Sequence, residues 1–192
     1  LIIENATFTN NSVKGCGAIF LMDQSNAGNA SAINVYGGTF TDNACLLSST
    51  SYGSGSIARL KSPGALHFYG GTFANNTTAA GKNYEGIYLR DVSQKLGSNV
   101  YVHKLSADLN VYLTPYSAKV FMSRIVVDSA LTHTISVYIA DNRVPAKGMP
   151  LVVGTDEYKL TEADLAMVKS ANPKATFYLD TENNAICIAK AE

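Results

Sequence analysis

Three charged residues stand at equivalent places in the chain: Asp23, Lys61 and Asp91 each follow an isoleucine (Ile19, Ile57, Ile87) by four residues. If the strands carrying those isoleucines stack in register, the side chains form a minus, plus, minus column with Arg59 and Arg90 close by. Two kinds of chemistry could use it. Paired carboxylates can serve as general acid and base, and aspartates can hold calcium beside an Arg or Lys base. The same column also reads as a surface charge ladder, worth roughly 0.2–1 kcal/mol per pair, and a β-bulge in any strand would break it.

A second set is aromatic and polar. Tyr36 and Tyr69 occupy equivalent positions, with Asn34 and His67 beside them, which gives a strip of the sort that can hold a sugar ring. Stacked tyrosines are also ordinary occupants of exposed strands. His67, His103 and His133 share no metal-ligand spacing and read as strand residues satisfied by solvent or backbone, so neither a metal nor a cofactor is expected. Cys16, Cys45 and Cys187 cannot all pair within the chain, show no C-x-x-C spacing, and read as small buried hydrophobes.

The elements that must position these residues are written as a repeat. Ile33-Asn-Val-Tyr-Gly-Gly-Thr-Phe-Thr-Asp-Asn43 returns as Leu66-His-Phe-Tyr-Gly-Gly-Thr-Phe-Ala-Asn-Asn76, with a weaker copy at Leu1 to Asn11. The anchoring phenylalanines Phe8, Phe40 and Phe73 stand 32 and 33 residues apart, and the Gly and β-branched content argues against a helical array of that period. Alternation puts Leu1/Ile33/Leu66 and Ile3/Val35/Phe68 on an inner face, and Ile2/Asn34/His67 and Glu4/Tyr36/Tyr69 on an outer one. After the Gly-Gly kink the phenylalanines resume the inner face. The chain then turns at Asn10/Asp42/Asn75 and Asn11/Asn43/Asn76, where asparagine tolerates the left-handed region and could stack in a ladder. A second strand family follows at Gly17 to Leu21, Gly55 to Arg59 and Glu85 to Leu89. Loops of unequal length separate the two families, as in a solenoid.

The F-x-x-N tetrads Phe8-Thr-Asn-Asn11, Phe40-Thr-Asp-Asn43 and Phe73-Ala-Asn-Asn76, with Gly15-Cys-Gly-Ala-Ile19 in place of G-G-A-I, resemble the parallel β-helix repeats of polymorphic outer-membrane proteins and related bacterial surface adhesins. The resemblance spans roughly residues 1 to 91. It implies an all-β chain folded as a single right-handed parallel β-helix, located extracellularly at a cell surface and acting as an adhesin or rigid stalk. Its implied partner is a glycan or a host or cell-surface protein. The alternative is a polysaccharide lyase or other carbohydrate-active β-helix enzyme using the Asp23, Lys61, Asp91 and Arg59 face. The sequence contains none of the N-T-D, D-D, G-H-G or R-I-K signatures of such enzymes.

Beyond the tetrads, Asn99 to Lys104, Leu109 to Leu113, Lys119 to Val127 and Thr134 to Ile139 read as further strands. Thr161 is an N-cap with Asp164 three residues on, and Leu160 and Leu165 form a hydrophobic staple, so a helix should run to about Ser170. Ala175 to Asp180 and Ala185 to Ala189 then flank a turn at Thr181 to Asn184. The expected organisation is a β-helix over residues 1–148 and a strand, helix and hairpin cap over 149–192. The cap resembles the segment closing β-helix modules in large surface proteins of Gram-positive bacteria.

Formal net charge is zero and only 16% of residues are charged, so nothing points to nucleic acid, and no apolar run suits a membrane span. The sequons at Asn5, Asn10, Asn29, Asn75 and Asn76 read as by-products of an Asn/Thr-rich repeat. Because Leu1 already lies in an apparent strand, the expectation is a monomeric segment of a larger protein.

Overall fold

The computed structural model describes residues 1–15, 19–22, 32–48, 56–60, 64–79, 85–91, 93, 96–117, 119–139, 146–171 and 175–189. The fold is all-β, with one six-residue helix, Glu162–Met167, among the described residues.

Four sheets carry the structure. The largest has eight strands in the order Ile2–Ile3, Ala32–Val35, Ala65–Phe68, Asn99–Val102, Arg124–Val127, Pro150–Gly154, Ala185–Ala189, Thr176–Asp180. Its first six strands pair in parallel and its last two antiparallel, so the sheet is mixed. A six-stranded parallel sheet runs Phe20–Met22, Ala58–Leu60, Ile87–Arg90, Leu109–Thr114, Ile135–Ile139, Val168–Ser170. Two three-stranded parallel sheets complete the set. One joins Ala6–Thr9, Gly38–Thr41 and Thr72–Ala74, and the other joins Ser12–Val13, Ala44–Cys45 and Thr77–Thr78.

The hydrophobic core lies between the two large sheets. Ile33, Val35, Leu66, Phe68, Val100, Val102, Ile125 and Val127 bury from one, and Ile87, Leu89, Val111, Leu113, Ile135, Val137 and Ile139 from the other. These are the alternate residues of each strand, as period-2 patterning requires. Leu1, placed on the inner face by alternation, is 71% exposed at the edge of the sheet, where none of the described strands covers it.

The phenylalanine column packs as rungs: Phe8 stacks on Phe40 with centroids 5.3 Å apart, and Phe40 on Phe73 at 4.7 Å. Behind it, Asn10, Asp42 and Asn75 hold left-handed φ angles of 57°, 58° and 54°, which Asn and Asp tolerate better than other side chains. The next residues are hydrogen-bonded in series. Asn11 Nδ2 donates to Asn43 Oδ1 at 2.9 Å, and Asn43 Nδ2 donates to Asn76 Oδ1 at 2.9 Å. Each Oδ1 also accepts the backbone N–H of the preceding asparagine at 3.1 Å. Gly38 makes the kink possible: its φ is 121°, and a Cβ there would stand 2.4 Å from the Ala6 carbonyl oxygen.

Several elements differ from the sequence reading. Of Lys119 to Val127 only Arg124–Val127 is a strand, because the buried Asp91 carboxylate captures the backbone before it. The N–H groups of Tyr116, Met122 and Ser123 donate to it at 3.0, 2.9 and 2.7 Å. The helix has the expected Thr161 and Asp164 capping box but ends at Met167. Val168–Ser170 leaves it to pair with Ile135–Val137, where sheet pairing outweighs helix propensity. Cys45 and Cys187 are buried and free, while Cys16 lies outside the described residues. Pro150–Gly154 continues the eight-stranded sheet from Arg124–Val127, and the expected hairpin forms the end of that sheet.

The chain also changes its step. Ile33 pairs with Leu66 and Leu66 with Val100, whereas Val100 pairs with Ile125 and Ile125 with Val152. Later passages are shorter because they run directly between the large sheets, with no phenylalanine or asparagine corner.

Candidate functional site

Tyr36 and Tyr69 stack with ring centroids 4.5 Å apart and planes 11° from parallel. The row continues: His103 covers the other side of Tyr69 at 3.9 Å and 1°. In the adjacent row Tyr101 stacks on His67 at 4.3 Å and 7°. Strand register produces both rows. Asn34 pairs with His67 and His67 with Tyr101, so the residues two further along each strand, Tyr36, Tyr69 and His103, align as well. Alternation turns both rows away from the core. Tyr36 is 49% exposed, and Asn34, His67, Tyr69, Tyr101 and His103 are half-buried.

Stacking of this kind occupies the ring faces. What the strip offers is ring edges, phenolic hydroxyls and imidazole nitrogens, with Tyr36, stacked on Tyr69 alone among the described rings, at the end of its row. That is a surface for hydrogen bonds more than a flat bed for a sugar ring.

A proton-sharing chain runs through the strip. His67 Nδ1 lies 3.1 Å from His103 Nε2, and the 5.4 Å centroid separation with planes 9° apart is that of two imidazoles joined edge to edge. His103 Nδ1 in turn lies 2.5 Å from Asp128 Oδ2. A carboxylate accepts, so the network assigns the His103 proton to Nδ1 and leaves Nε2 to accept the His67 Nδ1–H. Burial, and then the nearby His103, hold the His67 imidazolium below its usual range. Burial, followed by the neighbouring Tyr36 and Asp128, pushes the Tyr69 hydroxyl up.

Sequence reasoning found Tyr36, Tyr69, Asn34 and His67 but missed Tyr101, His103 and Asp128. It also took the histidines as separate, whereas two of them are partners. Only His133 stands apart, its Nδ1 3.1 Å from Thr132 Oγ1. The missed signal is an alignment of Val100-Tyr-Val-His103 under Leu66-His-Phe-Tyr69, which the absence of an F-x-x-N anchor in that passage concealed.

The charged column of Asp23, Lys61, Asp91 and Arg59 is not assembled by the described residues. Asp23 and Lys61 lie outside them. Ala58 pairs with Ile87 and Leu60 with Leu89, so the expected match of Ile57 with Ile87 is off by one residue. Gly86, at φ 122°, accounts for the slip: its carbonyl oxygen accepts from both Ile57 N, at 2.8 Å, and Ala58 N, at 3.2 Å. Asp91 is 4% exposed and takes the Ser123 hydroxyl at 2.7 Å in addition to its three backbone donors. Arg59 lies in the strand opposite Leu21 and Tyr88.

A second aromatic row, Tyr88, Tyr112 and Tyr138, stacks at 5.4 and 5.2 Å on the six-stranded sheet, with Tyr88 only 1% exposed. Among the described residues, no three His, Cys, Asp or Glu side chains are placed to share a metal ion, and no helix is long and apolar enough to cross a membrane. Comparison with protein-family models, curated proteins and solved structures finds no match to this chain.

Proposed function

We propose that the chain is a right-handed parallel β-helix that works, without catalysis, as a rigid adhesin or stalk module on a bacterial cell surface. In this reading the Tyr36, Tyr69 and His103 row, with His67 and Tyr101 beside it, is the contact surface for a glycan or a cell-surface protein.

The coil is supported by the parallel pairing of strands separated by whole chain passages in all four sheets. Right-handed connection is the strong default for parallel crossovers. The observation that carries the functional reading is the continuous outward strip, held in register by three adjacent strands of a stiff sheet. Tyrosine and histidine edges supply hydroxyl, imidazole and apolar contact together, with little rotamer entropy to lose on binding. The lyase alternative draws no support from Asp91, which is committed to four hydrogen bonds inside the fold.

The test is a panel of glycans and surface proteins, with and without calcium, read for both binding and cleavage. Wild type is compared with a Tyr36→Ala/Tyr69→Ala double variant. Binding without cleavage that is lost in the variant supports the reading. Cleavage of any panel member overturns it.

A further inference from the structure

The change of step leaves a gap. Asp42 N donates to the Ala74 carbonyl and Thr77 N to the Asn43 carbonyl, so the third passage of the phenylalanine and asparagine corner is stacked on the second. The fourth passage goes from Val102 to Leu109 without such a corner. Its short connection, residues 103–108, touches the start of that edge, where the Ser106 hydroxyl donates to the Gly71 carbonyl. Beyond it lies a groove of about 310 Å³, bounded by the end of the phenylalanine column, the asparagine turn and the beginnings of three strands of the six-stranded sheet, Ala58–Leu60, Ile87–Arg90 and Leu109–Thr114.

The lining has a particular chemistry. Phe73 is the last ring of its column, stacked on Phe40, half-buried, and part of the groove wall. Asn75 donates its Nδ2 to Asp42 Oδ1 at 3.2 Å, which leaves its amide oxygen for another partner. Asp108 accepts the Thr134 N–H on Oδ1 at 2.8 Å, which leaves Oδ2. Glu85 and Asn110 add a second carboxylate and another amide, and no Lys or Arg is among the described lining residues.

We propose that this groove binds a neutral saccharide, one or two rings long. A pyranose has an apolar C–H face that suits an aromatic ring, and a rim of hydroxyls that suits planar amides and carboxylates able to accept two hydrogen bonds each. Ligand sites run from about 300 to 1,000 Å³, and a groove at the small end of that range takes a short sugar in preference to a long chain. Two carboxylates, with no basic side chain among the described lining residues to offset them, repel uronates and sialic acids, so charge selects the neutral class. The proposal rests on the reading of the chain as a binding module but not on the Tyr36 and Tyr69 strip being the contact surface.

Saturation-transfer NMR with neutral methyl glycosides of glucose, galactose, mannose and N-acetylglucosamine tests it, alongside methyl glucuronide and methyl sialoside. Backbone amide shifts locate the ligand. The expected result is transfer from at least one neutral glycoside, with shifts at residues 73–77, 85–86 and 108–110. Glu85→Ala, at an unchanged melting temperature, should weaken that binding by at least about tenfold, the loss of one or two charge-assisted hydrogen bonds. The Tyr36→Ala/Tyr69→Ala variant should bind these glycosides as wild type does. Silence from every neutral glycoside overturns the groove, as does tighter binding of the charged sugars or the same amide shifts with calcium alone. Shifts confined to the strip, abolished in the tyrosine variant and retained in Glu85→Ala, would also overturn the groove while leaving the strip as the site.

Discussion

His67 Nδ1 and His103 Nε2, 36 residues apart in sequence, meet at 3.1 Å on the outer face of one sheet, and Asp128 fixes which of them donates. With each ring neutral, His103 Nδ1 donates to Asp128 and His67 Nδ1 donates to His103, so the two imidazoles and the carboxylate form one directed series.

Acidification should weaken the fold through His67, whose charged form is disfavoured by burial and then by the neighbouring His103. Its folded pKa lies below the ordinary histidine value of 6.5, so the unfolded chain takes up the proton first. The contribution is fully present above pH 6.5 and is lost as pH falls through the depressed folded value. Melting temperatures recorded from pH 7.5 down to 5 should fall more steeply for wild type than for His67→Gln. Parallel curves would refute the coupling.

Asn43 is the middle of three stacked asparagines, fully buried, with its amide bonded to Asn11, to Asn76 and to the Phe8 carbonyl. Asn43→Ala strands donors and acceptors on both neighbouring turns and should cost about 2–4 kcal/mol. Asn11→Ala, at the exposed end, should cost less than about 1 kcal/mol. Urea unfolding of the two variants measures the difference, and equal costs would mean that the series is not a connected unit.

Asp91→Ala should destabilise by about 3 kcal/mol, since it orphans the N–H groups of Tyr116, Met122 and Ser123. Asp91→Asn should also destabilise, because an amide NH₂ would oppose backbone donors. Neither should change binding at the strip once the protein is folded. A variant with wild-type stability and altered binding would restore Asp91 as a site residue.

Gly38→Ala should cost about 2 kcal/mol or more, from a disfavoured positive φ and a Cβ 2.4 Å from the Ala6 oxygen. Gly15→Ala, whose nearest new contact is an ordinary 3.9 Å to Val13, should stay within about 0.5 kcal/mol. Guanidinium melts of both variants check the contrast.

Much of this architecture was legible because buried strands repeat two periods at once, alternation along the strand and a near-constant step between strands. Phe8, Phe40 and Phe73 carried both, so the sheet pairings they imply match those observed. The outward row was legible as far as Tyr69 for the same reason. It was lost at His103, where the passage drops its corner and with it the anchor for alignment. The expected match of Ile57 with Ile87 failed at Gly86, since a residue free to take φ 122° lets a strand slip by one without any sign in the apolar pattern. Lys119 to Phe121 alternates like a strand, but a buried carboxylate from another passage holds the neighbouring backbone, and no local pattern reports a long-range acceptor. The groove was invisible for a related reason: it is formed by what the fourth passage omits.

The spacing of partners also sets the order of events when this protein folds. Parallel neighbours are two dozen or more residues apart throughout the four sheets, and each such contact must first close a large loop. The hairpin of Thr176–Asp180 and Ala185–Ala189, closed by a four-residue turn, is the cheapest strand pair to nucleate. A chain leaving the ribosome makes that hairpin after every parallel strand of these sheets. The phenylalanine and asparagine passages, synthesised before it, therefore depend on one another for templating before that starting point exists, and they are the part of these sheets most exposed to wrong pairings and to chaperone capture.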